Sequence, residues 1–483
     1  MTLTRPSDTS GITRREALAG ALGTVAVASA GTAAGAVPAQ AHDPSRKPNF
    51  LFIMADDMGY ADLSCYGRRE YDTPVLDSLA AQGMQFMHGY ANSAVCSSTR
   101  AGLITGRYQY RTRAGLEEPI SGADMGLDPA HPTLPSLLKA QGYHTGLIGK
   151  WHLGGLPQFG PLKSGYDEFW GNRGGGVDYF THKIAGRSDL WDGDVEVEAI
   201  GYYTNLLADR ALEFLDDRAA EAEKPWLLSL HFTAPHWPWE GNDAMGQSES
   251  ARLDALPASS DLNIVHYDGG SMETYAAMVT NLDANIGRVL MRLRDHGMDP
   301  NTVVVFTSDN GGERFADTWP FSGRKTQLLE GGIRVPLIVR WPGLTAPGSK
   351  TDAPVMSMDF LPTFVGAAGG TPDLPPDGVD IRPALMGSEL AERPMFWRYW
   401  DRDQRALRRG RYKYLKINEN EFLFDVIADP MERGNLKDRM PDVFASLKAD
   451  WEAIDSEMLQ FPDSRSYGFS PSQLADHFGP EVD

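Results

Sequence analysis

The sequence predicts an α/β protein: a large, doubly wound, mostly parallel sheet sandwiched by helices, with a small C-terminal subdomain of antiparallel sheet plus helix. Three observations carry this expectation. Residues 50–55, 146–148, 226–230, 303–306 and 335–339 are apolar at every position save Ser229, rather than at alternate ones. Strands apolar on both faces belong in a parallel sheet with helices on either side. Stretches with helical spacing fall between these runs, and that alternation is the signature of a doubly wound domain. Finally, polar residues able to do chemistry recur just past the ends of the runs.

The first run, residues 50–55, ends at Asp56-Asp57. Residues 74–82 read as a helix that opens on Pro74 and stops at Gly83, and residues 134–140 as a second that stops before Gly142. The next strand, 146–148, leads into Lys150-Trp151-His152. A helix over 203–218 precedes Lys224-Pro225 and strand 226–230, after which comes Pro235-His236. Residues 272–294 form the longest helix, with Met278, Leu282, Ile286, Val289 and Leu290 at helical spacing. Strand 303–306 gives way to Asp309-Asn310, and 335–339 is a further strand of the same type.

Beyond about residue 388 the texture changes. Residues 395–400, 412–416 and 422–425 read as strands, Asp429-Pro430 as a turn, and 443–458 as a final helix. The expected organisation is therefore an export segment at 1–41, a catalytic domain at 42–388 and a small subdomain at 389–483, whose last residues form a loosely held tail.

A chain of 483 residues, 42% of them apolar, can bury a large core. Its formal net charge of −20 disfavours nucleic acid as a partner. Any anionic substrate must then be held by a local basic cluster, against the overall field. Residues 1–41 read as a targeting segment: Arg14-Arg15 precedes a weakly apolar Ala/Gly-rich stretch, and Ala39-Gln40-Ala41 supplies small residues for cleavage. The paired arginines resemble a twin-arginine signal, which implies a periplasmic or extracellular address and a mature form free of the membrane. An uncleaved anchor is the alternative, but Ala, Gly, Ser and Thr insert poorly. Of the two cysteines, Cys65 and Cys96, an exported protein could make one disulfide. If Cys96 has a chemical role, no disulfide is available to it, and Cys65 is left as a small buried filler.

Open α/β sheets bind ligands beyond the carboxyl ends of their strands. Asp56-Asp57, Lys150 and His152, His236, and Asp309-Asn310 all fall at that edge. Any one of them alone could be a helix cap or turn residue; four coincidences on one edge point to a site. Asp56, Asp57, Asp309 and Asn310 offer only oxygen ligands, which suits Ca2+ or Mg2+ and argues against zinc. Trp151, Trp237, Trp239 and Trp319 could stack on a sugar or aryl group, with Trp397 and Trp400 reaching the rim, although core packing is the commoner use of such side chains.

Taken with Cys96-Ser97-Ser98-Thr99-Arg100 and Lys325-x-x-x-x-Glu330-Gly331-Gly332, these residues resemble a type I sulfatase of the alkaline phosphatase superfamily. Stretches 49–59, 96–106, 149–154, 234–238, 308–312, 325–336 and 405–435 carry the resemblance. It implies that Cys96, in the Cys-x-Pro-x-Arg signature, is oxidised to Cα-formylglycine by a formylglycine-generating enzyme. Ser98 stands where that signature usually has Pro.

By the same resemblance, one hydroxyl of the hydrated aldehyde attacks sulfur and the other expels sulfate, with Arg100 orienting this diol and His152 aiding elimination. Lys150 and Lys325 clamp the sulfate oxygens, and His236 protonates the leaving alcohol. The metal, Ca2+ with Mg2+ as the other candidate, would be held by Asp56, Asp57, position 96, Asp309 and Asn310. The substrate expected is an aryl or carbohydrate sulfate monoester. Two other readings stay open: a phosphodiesterase or phosphonate monoester hydrolase on the same site, and a non-catalytic binder of sulfated ligands if Cys96 is not converted.

Overall fold

The structure of the protein, a computed structural model, describes residues 46–116, 125–258, 260, 266 and 268–461. The expected export segment at 1–41 and the tail past 461 lie outside them. Ten strands make the main sheet: β1 Asn49–Ala55, β2 Met84–Phe86, β3 His144–Gly149, β4 Glu168–Gly171, β5 Trp191–Asp192, β6 Val195–Glu196, β7 Trp226–His231, β8 Thr302–Ser308, β9 Leu337–Arg340 and β10 Ser349–Thr351. Their order is β10-β2-β9-β8-β1-β7-β3-β4-β5-β6. The middle of it, β8-β1-β7-β3-β4, is parallel throughout.

Helices cover both faces. One face carries α1 (Pro74–Gln82), α4 (Tyr203–Ala220) and α6 (Met272–Asp295), and the other α2 (Cys96–Thr105), α3 (Leu134–Ala140) and α8 (Phe360–Ala367), with α5 (Ala244–Asp254) and α7 (Glu330–Ile333) between later strands. Strand β1 shows why its run is apolar throughout. Leu51, Ile53 and Ala55 pack with α1, α4 and α6, while Phe50, Phe52 and Met54 pack with α2, α3 and α8. Successive side chains point to opposite faces, and both faces are core. The doubly wound fold is as the sequence predicts.

One feature differs from expectation, and a second falls where the sequence predicts no element. The run 335–339 belongs to a strand, β9, that is antiparallel to β8, with Val305 opposite Val339. An all-apolar run reports two covered faces and says nothing of direction. The connection, residues 309–336, holds no helix longer than the four-residue α7, so no long crossover helix packs across the sheet to set a parallel return. The second feature is α2, where Ser97, Ser98 and Thr99 compete with their own backbone and weaken local helix propensity. All ten residues of α2 are buried, and packing rather than propensity makes the helix.

The C-terminal sheet is antiparallel, ordered β11 (Met395–Tyr399), β12 (Gln404–Arg409), β13 (Tyr412–Ile417) and β14 (Asn420–Asp425), with α9 (Pro441–Asp455) against it. Strand β12 has a sequence, Gln-Arg-Ala-Leu-Arg-Arg, with no apolar run to betray it. Its core unites Trp397, Leu407, Leu415 and Trp451 with Tyr90, Val95, Leu328 and Ile333, so this sheet backs directly onto the loops ahead of α2 and α7. Among the described residues no helix is long and apolar enough to cross a membrane.

Candidate active site

Strand β1 lies between β7 and β8, and the crevice at their carboxyl ends collects the predicted residues. Asp56 and Asp57 leave β1, and Asp309 and Asn310 leave β8. Lys150 leaves β3 one residue after Gly149, whose φ is +111°. A Cβ on Gly149 would come 1.9 Å from the His231 carbonyl oxygen, so only glycine lets β3 end against β7 here. Cys96 is the first residue of α2, and Arg100 lies one turn on. Each of these residues is at least nine-tenths buried, as are His152, His236 and Lys325.

Opposite charges alternate across the crevice. Lys150 Nζ donates to Asp56 Oδ2 at 2.6 Å, and Lys325 Nζ to Asp57 Oδ2 at 2.7 Å. Arg100 Nη2 and Nε donate to Asp309 Oδ2 at 2.8 and 3.2 Å, and Arg100 Nη1 to the Lys150 carbonyl at 3.0 Å. Asn310 Nδ2 donates to Asp57 Oδ1 at 2.7 Å. The Cys96 thiol lies 3.4 Å from Asp56 Oδ1 and 3.9 Å from Asp57 Oδ1. His236 Nδ1 is 2.6 Å from the Trp237 carbonyl, which can only accept. The ring must therefore carry its proton on Nδ1, leaving Nε2, 3.5 Å from Asp57 Oδ2, as the nitrogen that faces the site. Asp57, His152 and Thr326 have φ of +63°, +56° and +70°, the left-handed region that non-glycine residues seldom occupy.

Burial and neighbouring charge set the protonation states. Burial, seconded by Asp309, pushes the Asp56 carboxyl well up. Burial works the same way on Asp309, but Arg100 and then Lys150 outweigh it and hold that carboxyl below its ordinary value. Lys150 and Lys325 are raised by Asp56 and Asp57 respectively, against the desolvation of their charges. His152 and His236 are held well below the usual imidazole range, first by burial and then by Lys150 and Lys325 respectively. Burial also keeps the Cys96 thiol protonated despite Lys150 and Lys325, so as a thiol it is a poor nucleophile.

Asp56, Asp57, Cys96 and His236 converge closely enough to hold a metal ion. Asn310 Oδ1 is buried and makes no hydrogen bond among the described residues. The oxygens of Asp56 and Asp57 with that orphaned oxygen fit a hard divalent cation, while Asp309, whose Oδ2 accepts from Arg100, is not among the converging four.

Some participants give little sign in the sequence. Gly175 and Gly176 lie against His152 and His236, where a Cβ would meet the imidazoles at 2.8 and 3.0 Å. The triple glycine at 174–176 is the one clue to them. Glu313, three residues past Asn310, is buried, and burial pushes it to about 7 although Lys325 opposes. A polar cavity of about 340 Å3 runs beside it, lined by Arg314, Thr318, Arg324 and Gln327. Trp151, Trp237 and Trp239 are buried, Trp237 lying 5.7 Å from Lys325 Nζ. Trp397 donates to the Ala91 carbonyl inside the core rather than reaching a rim, whereas Trp319 is 63% exposed. Both cysteines are free, and Cys65 is half-buried rather than a core filler.

Comparison with known proteins bears on this site. Residues 48–370 match the family described as Sulfatase, and residues 322–457 the one described as N-sulphoglucosamine sulphohydrolase, C-terminal. The chain is 32% identical over 416 residues to N-acetylgalactosamine-6-sulfatase of Canis lupus familiaris, covering 79% of this chain and 73% of that one. It is 30% identical over 479 residues to human arylsulfatase A, covering 89% and 91%. Among solved structures, Ps i-CgsB in complex with k-i-k-neocarrahexaose superposes with a TM-score of 0.77 at 29% identity, over 86% of this chain and 94% of that one.

Proposed function

This chain belongs to the sulfatase family and hydrolyses sulfate esters, and we propose that its substrate is the sulfate monoester of a carbohydrate, cleaved at the crevice around position 96. Cys96 acts after conversion to Cα-formylglycine. A divalent cation, Ca2+ ahead of Mg2+, would be held by Asp56, Asp57, Asp309 and Asn310 with position 96, and would supply positive charge to the sulfate group. The observation that carries the reading is the setting of Cys96. Its Sγ sits at the first turn of a buried helix, 3.4 Å from Asp56, between two lysines already paired with Asp56 and Asp57.

A hydrated aldehyde at position 96 supplies one hydroxyl to attack sulfur and a second whose deprotonation expels sulfate, which a protonated thiol cannot do. Lys150 and Lys325 take the sulfate oxygens and stabilise charge as it develops. Arg100, tied to Asp309 and the Lys150 carbonyl, keeps the first turn of α2 against the carboxylates. His236 presents Nε2 to the leaving oxygen as general acid. The free protein holds it neutral, so it takes up its proton together with the anionic substrate, whose charge favours imidazolium. His152, pressed against Gly175, assists the release of sulfate.

The polar cavity beside Glu313 supports a carbohydrate leaving group over an apolar aryl one. So do the sulfated amino sugar in the name of the canine relative and the oligosaccharide in the Ps i-CgsB complex. Because Cys96 is only 2% exposed, its conversion by a formylglycine-generating enzyme has to precede folding. A twin-arginine-like signal, carrying folded protein to the periplasm or beyond, is consistent with that order.

The test is the mass of the tryptic peptide spanning residues 70–100 from the native exporting host, with turnover of sulfated sugars measured in parallel. A peptide lighter than the thiol form, reactive with an aldehyde probe, is expected alongside release of sulfate. An intact thiol in a protein that binds sulfated sugar without hydrolysing it would favour the binding-protein reading, with Ser98 as the cause.

A further inference from the structure

Lys325 reaches Asp57 from a loop, not from a strand or helix, and something must hold that loop. The residue after it, Thr326, is β-branched, yet its φ is +70°. Such a conformation persists only where the surroundings impose it. Here the backbone is held on several sides. Lys325 N donates to the Gly312 carbonyl at 3.0 Å and Thr326 N to the Ala94 carbonyl at 2.8 Å. Within the loop Gln327 N donates to the Arg324 carbonyl at 3.0 Å and Arg324 N to Gln327 Oε1 at 3.2 Å, and two further holds come from one distant side chain. Gln404 Nε2 donates to the Thr326 carbonyl at 2.8 Å, and Gln404 Oε1 accepts from Leu328 N at 2.9 Å.

Gln404 is the first residue of β12, in the C-terminal sheet, and is 2% exposed. Its second amide hydrogen goes to the Asp401 carbonyl at 3.1 Å. Both of its donors and its acceptor are thus spent on backbone, and two of the three bonds bracket the turn that follows Lys325. An aspartate or asparagine would be a carbon short, a glutamate would lose the donors, and an apolar residue would leave a buried carbonyl and a buried N–H unsatisfied.

We propose that Gln404 is a positioning residue for Lys325: through the turn at Thr326–Leu328 it sets where the lysine ammonium meets the sulfate. The inference rests on the sulfate-clamping role given to Lys325 above. It makes the C-terminal sheet a working part of the active site although none of its side chains need touch substrate. A small displacement of an oriented catalytic group costs up to about 100-fold in rate, so the effect should be visible in kcat.

The experiment is a double-mutant cycle on the full mature enzyme, with kcat and KM for p-nitrophenyl sulfate and calorimetric binding of inorganic sulfate. Gln404→Leu should lower kcat by about 10- to 100-fold, and should cause no further loss when Lys325 is already alanine. Gln404→Glu keeps the acceptor for Leu328 N and loses the donor to Thr326. It should lower kcat in the same direction, and it carries the test if the leucine variant does not fold. A purely structural role would lower the thermal midpoint and multiply through in the Lys325→Ala background. That result, or an unchanged kcat in a folded variant, overturns the proposal. If the parent protein turns nothing over, the hydrolase mechanism falls. Positioning then stands only if Gln404→Leu and Lys325→Ala weaken sulfate binding alike, and it is overturned if they do not.

Discussion

Two of the clusters of buried acid and base among the described residues are finished differently. At the junction with the C-terminal sheet, Lys413 Nζ lies 2.9 Å from both Glu330 Oε1 and Glu432 Oε1. Glu330 Oε2 accepts from Tyr90 at 2.6 Å and from Arg334 at 3.2 Å, and Glu432 Oε2 accepts from Glu330 N at 2.6 Å. Every carboxylate oxygen there faces a donor group: Glu432 Oε1 has no hydrogen bond of good geometry, but the Lys413 ammonium stands against it as an ion pair. In the crevice, Asp56, Asp57 and Asp309 face Arg100, Lys150 and Lys325, but the Asn310 Oδ1 and His152 Nδ1 atoms are left over. A cluster in which every carboxylate oxygen faces a donor ties the C-terminal sheet to α7; one with polar atoms that face no partner can take up a ligand. The lesson is that burial and charge alone do not mark a catalytic site, since both clusters have them. Spare valence facing a crevice does.

That contrast can be broken by substitution. The largest effect belongs to the crevice: Cys96→Ala should reduce turnover of a sulfate ester by a thousandfold or more, on the order of 4 kcal/mol of barrier, with a thermal midpoint within a few degrees of the parent. Substantial residual hydrolysis would remove Cys96 from the role of nucleophile precursor. At the junction the loss should be of stability instead. Lys413→Met leaves two buried carboxylates facing each other and should cost about 3 to 5 kcal/mol in denaturant unfolding, with far less change in rate per folded molecule. A near-neutral result would mean that the cluster relaxes by protonation.

Metal binding comes next in size. Asp309→Ala should weaken calcium affinity by about 10- to 100-fold in a calorimetric titration, and an unchanged affinity would take Asp309 out of the ligand set. The smallest effect is a pH dependence that belongs to the junction. Burial, with Glu330 adding to it and Lys413 opposing, pushes Glu432 to about 7 from an ordinary 4.5. The folded state then holds a proton that the unfolded chain releases, so stability declines as pH rises from about 4.5 to 7. Glu330 shifts the other way: Lys413, Arg334 and Arg408 overcome burial and hold it at about 2, so its contribution is lost as pH falls from 4.5 towards 2. The unfolding free energy should therefore drop between about pH 5 and 7 by an amount on the order of 1 to 3 kcal/mol, and Glu432→Gln should flatten the decline. An unaltered profile in that variant would place the titration elsewhere.

Much of the crevice is legible in the amino-acid sequence, for a reason the strands supply. A strand buried on both faces announces itself by an unbroken apolar run, and its end is marked by the first polar residue. Asp56 and Lys150 stand out in that way, and Asp309 follows two smaller polar residues, Thr307 and Ser308. The glycines that make room for His152 and His236 do not, because a glycine reports missing bulk without saying what fills the space. Glu313 is hidden for a related reason: a single carboxylate after Asp309-Asn310-Gly311-Gly312 looks like any loop residue until its burial is known.

By itself the sequence determined which residues are available for chemistry and which segments are core strands and long helices, because those properties are local: the period of the apolar pattern and the punctuation by Gly and Pro. It also carried the Cys96-to-Arg100 and Lys325-to-Gly332 patterns on which the resemblance to a sulfatase rests. The tertiary structure alone decided that β9 runs antiparallel, that Cys96-Ser97-Ser98-Thr99 is helical, and that each lysine pairs with its particular aspartate. It alone brought Gln404, some eighty residues on, to the loop of Lys325. These are long-range outcomes, set by what packs against a segment after the chain has folded, and a residue's own neighbours in sequence contain no record of them.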